Sequence, residues 1–197
     1  MATHTVRALC SAVCLSAVLL ALPTQSHAEP MAQSVPRIRV QSGRLRSELT
    51  HVIDRSPTLR AIVGQIEQSD VIVHVTCEHF VSVTLEGRTV WGSAGPDVRY
   101  VRVQIDCMLP DQRLVAILGH ELQHVAEVAD RPDVIDLRTF LKLFEAIGYP
   151  SCGRIWREQF ETDDATAAGQ RVREEFLHRW PVGARLVTDA GRGVPVE

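Results

Sequence analysis

The hydrophobic positions of this chain change period along its length, and each change marks an element boundary. Between residues 43 and 68, Leu45, Leu49, Val52 and Ile53 fall on one helical stripe, and Leu59, Ile62, Val63 and Ile66 on a second. Pro57 lies between them. Its ring and missing N–H interrupt a helix, so the spacing predicts two amphipathic helices broken near Ser56-Pro57. Residues 71 to 107 switch to β-branched runs: VIVHVTC, VSVTLEG, RTVWGS and DVRYVRVQI, separated by Glu86-Gly87 and Gly95-Pro96-Asp97. Val98, Tyr100 or Val101, Val103 and Ile105 approximate the alternation of a half-buried strand. Three or four strands are expected, in a small, mainly antiparallel sheet.

Helical spacing returns after Pro110. A helix is expected from Asp111, a plausible cap, to about Ala129, where Arg131-Pro132-Asp133 stops it. A second is expected from about Asp133 to Ile147, ended by Gly148 and Pro150. A third should span about Ile155 to Arg179, ended by Trp180-Pro181. Helices, a small sheet, then three more helices define an α+β domain.

The two ends read differently. Residues 1–28 have a short n-region with Arg7, an apolar run from Ala8 to Leu22, and Ser26-His27-Ala28, which suits signal peptidase. The uncharged run is about 15 residues, short of the roughly 20 that span a bilayer, so export with cleavage is expected rather than a membrane anchor. Residues 29–42 read as a polar leader, 43–180 as the folded domain and 181–197, rich in Gly and Pro, as a tail. After cleavage, no membrane association is expected.

Composition adds mainly exclusions. With 45% hydrophobic and 23% charged residues, the 197-residue chain is neither disordered nor fibrous. The net charge of −3 leaves no basic excess to offset phosphates, so no nucleic-acid partner is expected. Cleavage after Ala28 would leave 169 residues at a net charge of −4. It would also leave three cysteines: Cys77, Cys107 and Cys152. In an oxidising compartment Cys77 and Cys107 are the preferred pair, because each ends a predicted strand; three free thiols are the alternative.

One motif carries chemistry: His120-Glu121-Leu122-Gln123-His124. Residues four apart on a helix stand one turn apart on one face, so two imidazoles at this spacing reach one metal ion. The glutamate of an HExxH motif serves as general base toward a water. Chance alone would produce roughly 0.02 such matches in a chain of this composition. The opposing reading is a pair of surface histidines on an amphipathic helix.

The segment LGHELQHVAEVAD resembles the active-site helix of the zincin metallopeptidases, and Phe160-Glu161-Thr162-Asp163-Asp164-Ala165 resembles the glutamate helix of their gluzincin branch. The chain is similar, over about residues 100–175, to small bacterial proteins that pair HELxHxxE with an ETxxA segment. It departs from gluzincins in one respect. Their Asp usually follows the ligand Glu by four residues, whereas Asp163 and Asp164 follow Glu161 by two and three.

The resemblance implies a Zn²⁺ ion held by His120, His124 and Glu161, with Glu121 as the catalytic base. Glu161 lies 37 residues beyond His124, enough chain for a helix and a return. Ala165, Ala168 and Gly169 are small enough to let its helix approach closely. Glu127 and Glu145 remain alternative third ligands, and Glu127 would equally serve to hold an imidazole. His74, His79 and His178 read as ordinary strand or surface histidines. Tyr100, Tyr149, Arg154 and Arg157 are candidates for stabilising an oxyanion. The resemblance further implies that the strand Val98–Cys107 pairs with an extended peptide or protein substrate. Two functions stay open: an exported zinc peptidase, and a metal-binding protein that keeps the site without proteolysis.

Overall fold

A computed structural model describes residues 36–81, 84–150 and 160–178; the expected signal segment, the tail, Cys152, Arg154 and Arg157 lie outside them. Five helices and two sheets form the described α+β fold. Strand β1 (Ile38–Val40) leads to helices α1 (Gly43–Arg55) and α2 (Pro57–Glu67), broken where the sequence predicts. Ser56 makes the break work. Fully buried, it ends α1 with its N–H on the Val52 carbonyl and starts α2 with its Oγ accepting from Leu59 N at 3.0 Å. Its hydroxyl also donates to Glu175.

Strands β2 (Val71–Glu78), β3 (Gly87–Ala94) and β4 (Arg99–Asp106) complete a four-stranded sheet in the order β1-β2-β4-β3. The sheet is mixed, not mainly antiparallel. Both β1–β2 and β2–β4 are parallel, and only β3–β4 is antiparallel. The hairpin at Gly95-Pro96-Asp97 forms as expected, closed by Gly95 N on the Val98 carbonyl at 2.7 Å. The connection from β2 to β3, however, passes over one strand position, and β4 returns into the gap. Two further expectations change. The leader contributes β1, whose Val40 is buried, and the VSVTLEG run forms no strand of its own among its described residues, its Gly87 beginning β3 and its Val81 99% exposed. Cys77 and Cys107 form the expected disulfide, joining the ends of β2 and β4.

One face of the sheet makes the core. Val71, Val73 and Val75 on β2 alternate with Val101, Val103 and Ile105 on β4 toward the helices, all buried. The other face carries His74, Thr76, Tyr100 and Arg102, the His74 and Tyr100 rings standing 6.4 Å apart. Helix α3 (Asp111–Ala129) has the expected limits and buries Leu114, Leu118, Leu122 and Val125 on this core. Helix α4 (Leu137–Ile147) starts four residues later than expected, because Asp136 and Thr139 form a reciprocal capping box there. A two-stranded ribbon, β5 (Tyr149–Pro150) and β6 (Phe160–Glu161), precedes α5 (Asp163–His178). Among the described residues no helix is long and apolar enough to cross a membrane.

A buried arginine anchors the C-terminal end of α3. Arg99, 3% exposed at the start of β4, donates to the carbonyls of Val128 and Arg131 at 2.9 and 2.6 Å. Its Nε and Nη2 also bind both carboxylate oxygens of Asp70, at 2.8 and 2.5 Å. The guanidinium thus adds a charged donor to carbonyls at and just past the end of α3, where the helix dipole favours a cation. The hydrogen bond from Arg99 holds the Asp70 carboxyl below its ordinary value of 3.8.

Replacing Arg99 with Met should lower unfolding free energy by about 3 kcal/mol, since the Asp70 carboxylate loses its ion-pair partner and two carbonyls lose a charged donor, as read by urea denaturation. Asp70→Asn should cost less, and its cost should depend on pH in a fixed direction. A depressed carboxyl pKa stabilises the fold above the unfolded value and loses that contribution as pH falls through the folded value. The stability gap between wild type and Asp70→Asn should therefore be constant near neutrality and close below about pH 4.

Candidate metal centre

The three motif residues sit midway along α3, between the sheet and α5. His120 and His124, one turn apart, place their ring centroids 4.8 Å apart and nearly perpendicular. Helix α5 approaches this turn very closely. A Cβ added at Gly169 would stand 2.9 Å from the Ala116 carbonyl oxygen and 3.1 Å from His120 Cβ; one added at Gly119 would stand 2.8 Å from Val172 Cγ2. Ala165 and Ala168 are fully buried in the same region, so the small residues act as the sequence reading expects. On its other side the His124 ring meets Phe144 edge to face at 5.3 Å, and Phe140 and Trp91 extend that apolar wall.

Glu161 reaches the histidines from a strand, not from a helix. It pairs with Tyr149 across the β5–β6 ribbon, and α5 begins only at Asp163. Thr162 makes the boundary: its Oγ1 accepts from Ala165 N at 3.1 Å and its carbonyl from Thr166 N at 3.0 Å, while Asp163 and Asp164 occupy the favoured acidic first turn. Gly148 lets the two strands meet, since a Cβ there would lie 2.5 Å from the Glu161 carbonyl oxygen. The outcome is an ion pair between Glu161 Oε2 and His120 Nε2 at 2.9 Å.

His120, His124 and Glu161 offer ligand atoms that all lie within 4.8 Å of one another, the grouping that the resemblance implies. The alternatives fall elsewhere. Glu145 is exposed on α4. Glu127 accepts from His124 Nδ1 at 2.9 Å and from Thr162 Oγ1 at 2.6 Å. A carboxylate can only accept here, so His124 donates through Nδ1, which leaves Nε2 as the nitrogen for a metal. Glu127 therefore orients an imidazole. Neither His74, His79 nor His178 joins the cluster among the described residues. Tyr149, 46% exposed, stands opposite Glu161 in the ribbon; Tyr100 lies on the far sheet face.

Glu121, 5% exposed, turns toward β3. Thr89 Oγ1 lies 2.8 Å from its Oε2, and a Cβ at Gly87 would stand 2.7 Å from its Oε1. Burial raises the Glu121 pKa, opposed by the nearby His124 and His120. Burial works against the charged form of His120, yet its hydrogen bond to Glu161 and the surrounding carboxylates bring its pKa above the ordinary value. Glu161 shows the converse: burial disfavours its charge, and His120 and His124 hold its carboxyl below the usual value.

The donor set fits a zinc-type ion. Two imidazole nitrogens and one carboxylate oxygen suit Zn²⁺. Tetrahedral ligands at about 2.1 Å from an ion stand roughly 3.4 Å from each other, between the 2.9 Å and 4.8 Å that bound these atoms. A cleft of about 650 Å³ opens beside His120, Glu121 and Glu161, walled by Leu85, Gly87 and Ile117 on one side and by α5 on the other. The strand beside it is β3, at the sheet edge. The strand expected in that place, Val98–Cys107, is enclosed between β2 and β3, because β4 enters the sheet between them.

Thr162, Thr89, Gly87 and Gly148 escape the sequence reading. Glu127 had a legible signal in its three-residue spacing from His124, but Thr162 meets Glu127 only through the return of the chain. No family model, curated protein or solved structure matches this chain.

Glu127→Gln and Thr162→Val should each weaken zinc binding about 10- to 100-fold, measured by competition with a chromophoric chelator, because both fix the His124 ring. Glu161→Gln should weaken it further, and Glu145→Gln should leave it unchanged.

Proposed function

We propose that this protein is an exported zinc-dependent peptidase of zincin type, in which His120, His124 and Glu161 hold the metal and Glu121 moves the proton. The observation that carries the reading is the convergence of these three ligand side chains, from one helix and one short strand, two of them, His120 and Glu161, at the wall of an open cleft. Three protein ligands would leave a tetrahedral ion one open position, as catalytic rather than structural sites do. The Cys77–Cys107 disulfide supports export, since such bonds persist in oxidising compartments.

A zinc ion at this place would supply Lewis acidity, lowering the pKa of a water toward about 7 and polarising a carbonyl. The chain's own residues do the rest. Glu121 takes the proton of the attacking water on a carboxylate oxygen and delivers it to the nitrogen of the leaving amine. Thr89 and Gly87 hold the Glu121 carboxyl group at the edge strand, and the edge of β3, unpaired among the described residues, offers main-chain groups to an extended peptide. Tyr149 is the candidate for the second oxyanion donor, because cross-strand partners such as Tyr149 and Glu161 share one face of a ribbon.

The contact of Glu121 with Thr89 also favours a second reading, a metal-binding protein without proteolysis, in which that carboxyl group serves packing. One experiment separates the two. Purified protein should bind about one zinc per chain and cleave an unfolded protein substrate such as casein. Glu121→Gln should keep the zinc and lose cleavage by about 10²- to 10⁴-fold. Zinc retention with no Glu121-dependent cleavage would establish the second reading instead.

A further inference from the structure

The cleft beside the metal centre has an inner and an outer end. His120, Glu121 and Glu161 line the inner end. Gln170, Arg173 and Leu177, on successive turns of α5, carry it outward. Gly169 touches His120 Cβ, and Arg173 follows one turn later on the same face of α5, about 6 Å farther along. That distance is the span of roughly two extended peptide residues.

Two guanidinium groups line this cleft, and their circumstances differ. Arg113 is committed: its Nε donates to Glu86 at 2.7 Å, and its Nη2 pairs with the same carboxylate. Arg173 is exposed and has no hydrogen bond or ion pair among the described residues. Among the described residues, none of the acidic groups that line the cleft pairs with it. Glu86 is taken by Arg113, and Glu174 accepts from Gln170 Nε2 at 2.9 Å. Between this charge and the metal centre Ala116, Ile117 and Gly169 give a small or apolar stretch of wall, beside Thr166 and Gln170. An extended chain can thus run from the reacting centre past this stretch to one available cation.

We infer that Arg173 binds a carboxylate of the substrate and makes the cleft selective for acidic peptides, an inference that rests on the peptidase reading above. A guanidinium presents two parallel N–H donors that match a carboxylate. The carboxylate is either an acidic side chain one or two residues from the cleaved bond or the C-terminal carboxylate of a short peptide. Both present the same chemistry to Arg173.

The test uses zinc-loaded Glu121→Gln protein, which holds peptide without cutting it, and the fluorescence anisotropy of labelled peptides. One peptide pair differs only by Glu or Gln near its centre; a second, neutral pair differs only by a free or amidated C-terminus. The acidic member of one pair should bind roughly fivefold more tightly at low salt, with the advantage shrinking as salt is raised. The pair that responds identifies the source of the carboxylate. Adding Arg173→Gln should erase the difference and leave the affinity for neutral peptides unchanged; Arg173→Glu should favour a Lys-bearing peptide. A ratio of one, or a ratio that survives Arg173→Gln, would overturn the inference. In that case Glu121-dependent cleavage of neutral peptides by otherwise wild-type protein would still stand, so the peptidase reading would survive. If no peptide binds and none is cleaved, both fall together.

Discussion

The close approach of α5 to α3 is the constraint on which the rest of this structure depends. Gly169 lies where any side chain would strike the Ala116 carbonyl or His120 itself, and Gly119 leaves room for Val172. This proximity brings the start of α5, and with it Glu161 and Thr162, to the histidine face of α3. A methyl group inserted at either glycine would have to push apart two helices already anchored elsewhere. Overpacking of this kind typically costs 1–3 kcal/mol. Here the displacement would also act on the distance between His120 and Glu161, so stability and site geometry share one contact.

Helix α3 is held in the two other directions as well. The sheet core supports its length, and Arg99 fixes its C-terminal end by donating to the carbonyls that follow the motif. At the opposite end Arg44 bonds the carbonyl of Leu109 at 3.0 Å and pairs with Asp111 at 2.9 Å. A helix fixed at both termini and along two faces presents its imidazoles with little freedom, which is what a metal site requires of its support.

The carboxylate that meets His124 Nδ1 comes from the motif helix itself and not from the start of α5. Asp163 and Asp164 belong to the first turn of α5, where they favour the helix start, and no carboxylate from that segment reaches His124. Glu127, on the motif helix itself, takes the imidazole Nδ1 and is steadied in turn by Thr162. Thr162 serves two elements with one hydroxyl, donating to Glu127 and accepting from the α5 backbone. The start of that helix and the orientation of the histidine are therefore coupled.

Local physics made much of this legible in the sequence. The break at Ser56-Pro57, the limits of α3, the HExxH face and the small residues of α5 all follow from helical period, capping and side-chain size, which act within a few residues. The Cys77–Cys107 pair was also legible, because each cysteine ends a β-branched run. What the sequence could not carry was the pairing of segments far apart in the chain. The insertion of β4 between β2 and β3, the recruitment of Ile38–Val40 into the sheet and the placement of Glu161 on a strand depend on which backbone groups meet, and main-chain hydrogen bonds leave no mark on residue identity. The edge position of β3 beside Glu121, the roles of Thr89 and Thr162, and the outward run of the cleft to Arg173 follow from that assembly. The sequence determined which residues are able to ligate a metal, because side-chain type and a four-residue spacing suffice for that. Only the tertiary structure decided which of them meet, since convergence across 37 residues is set by packing between helices rather than by anything local to either segment.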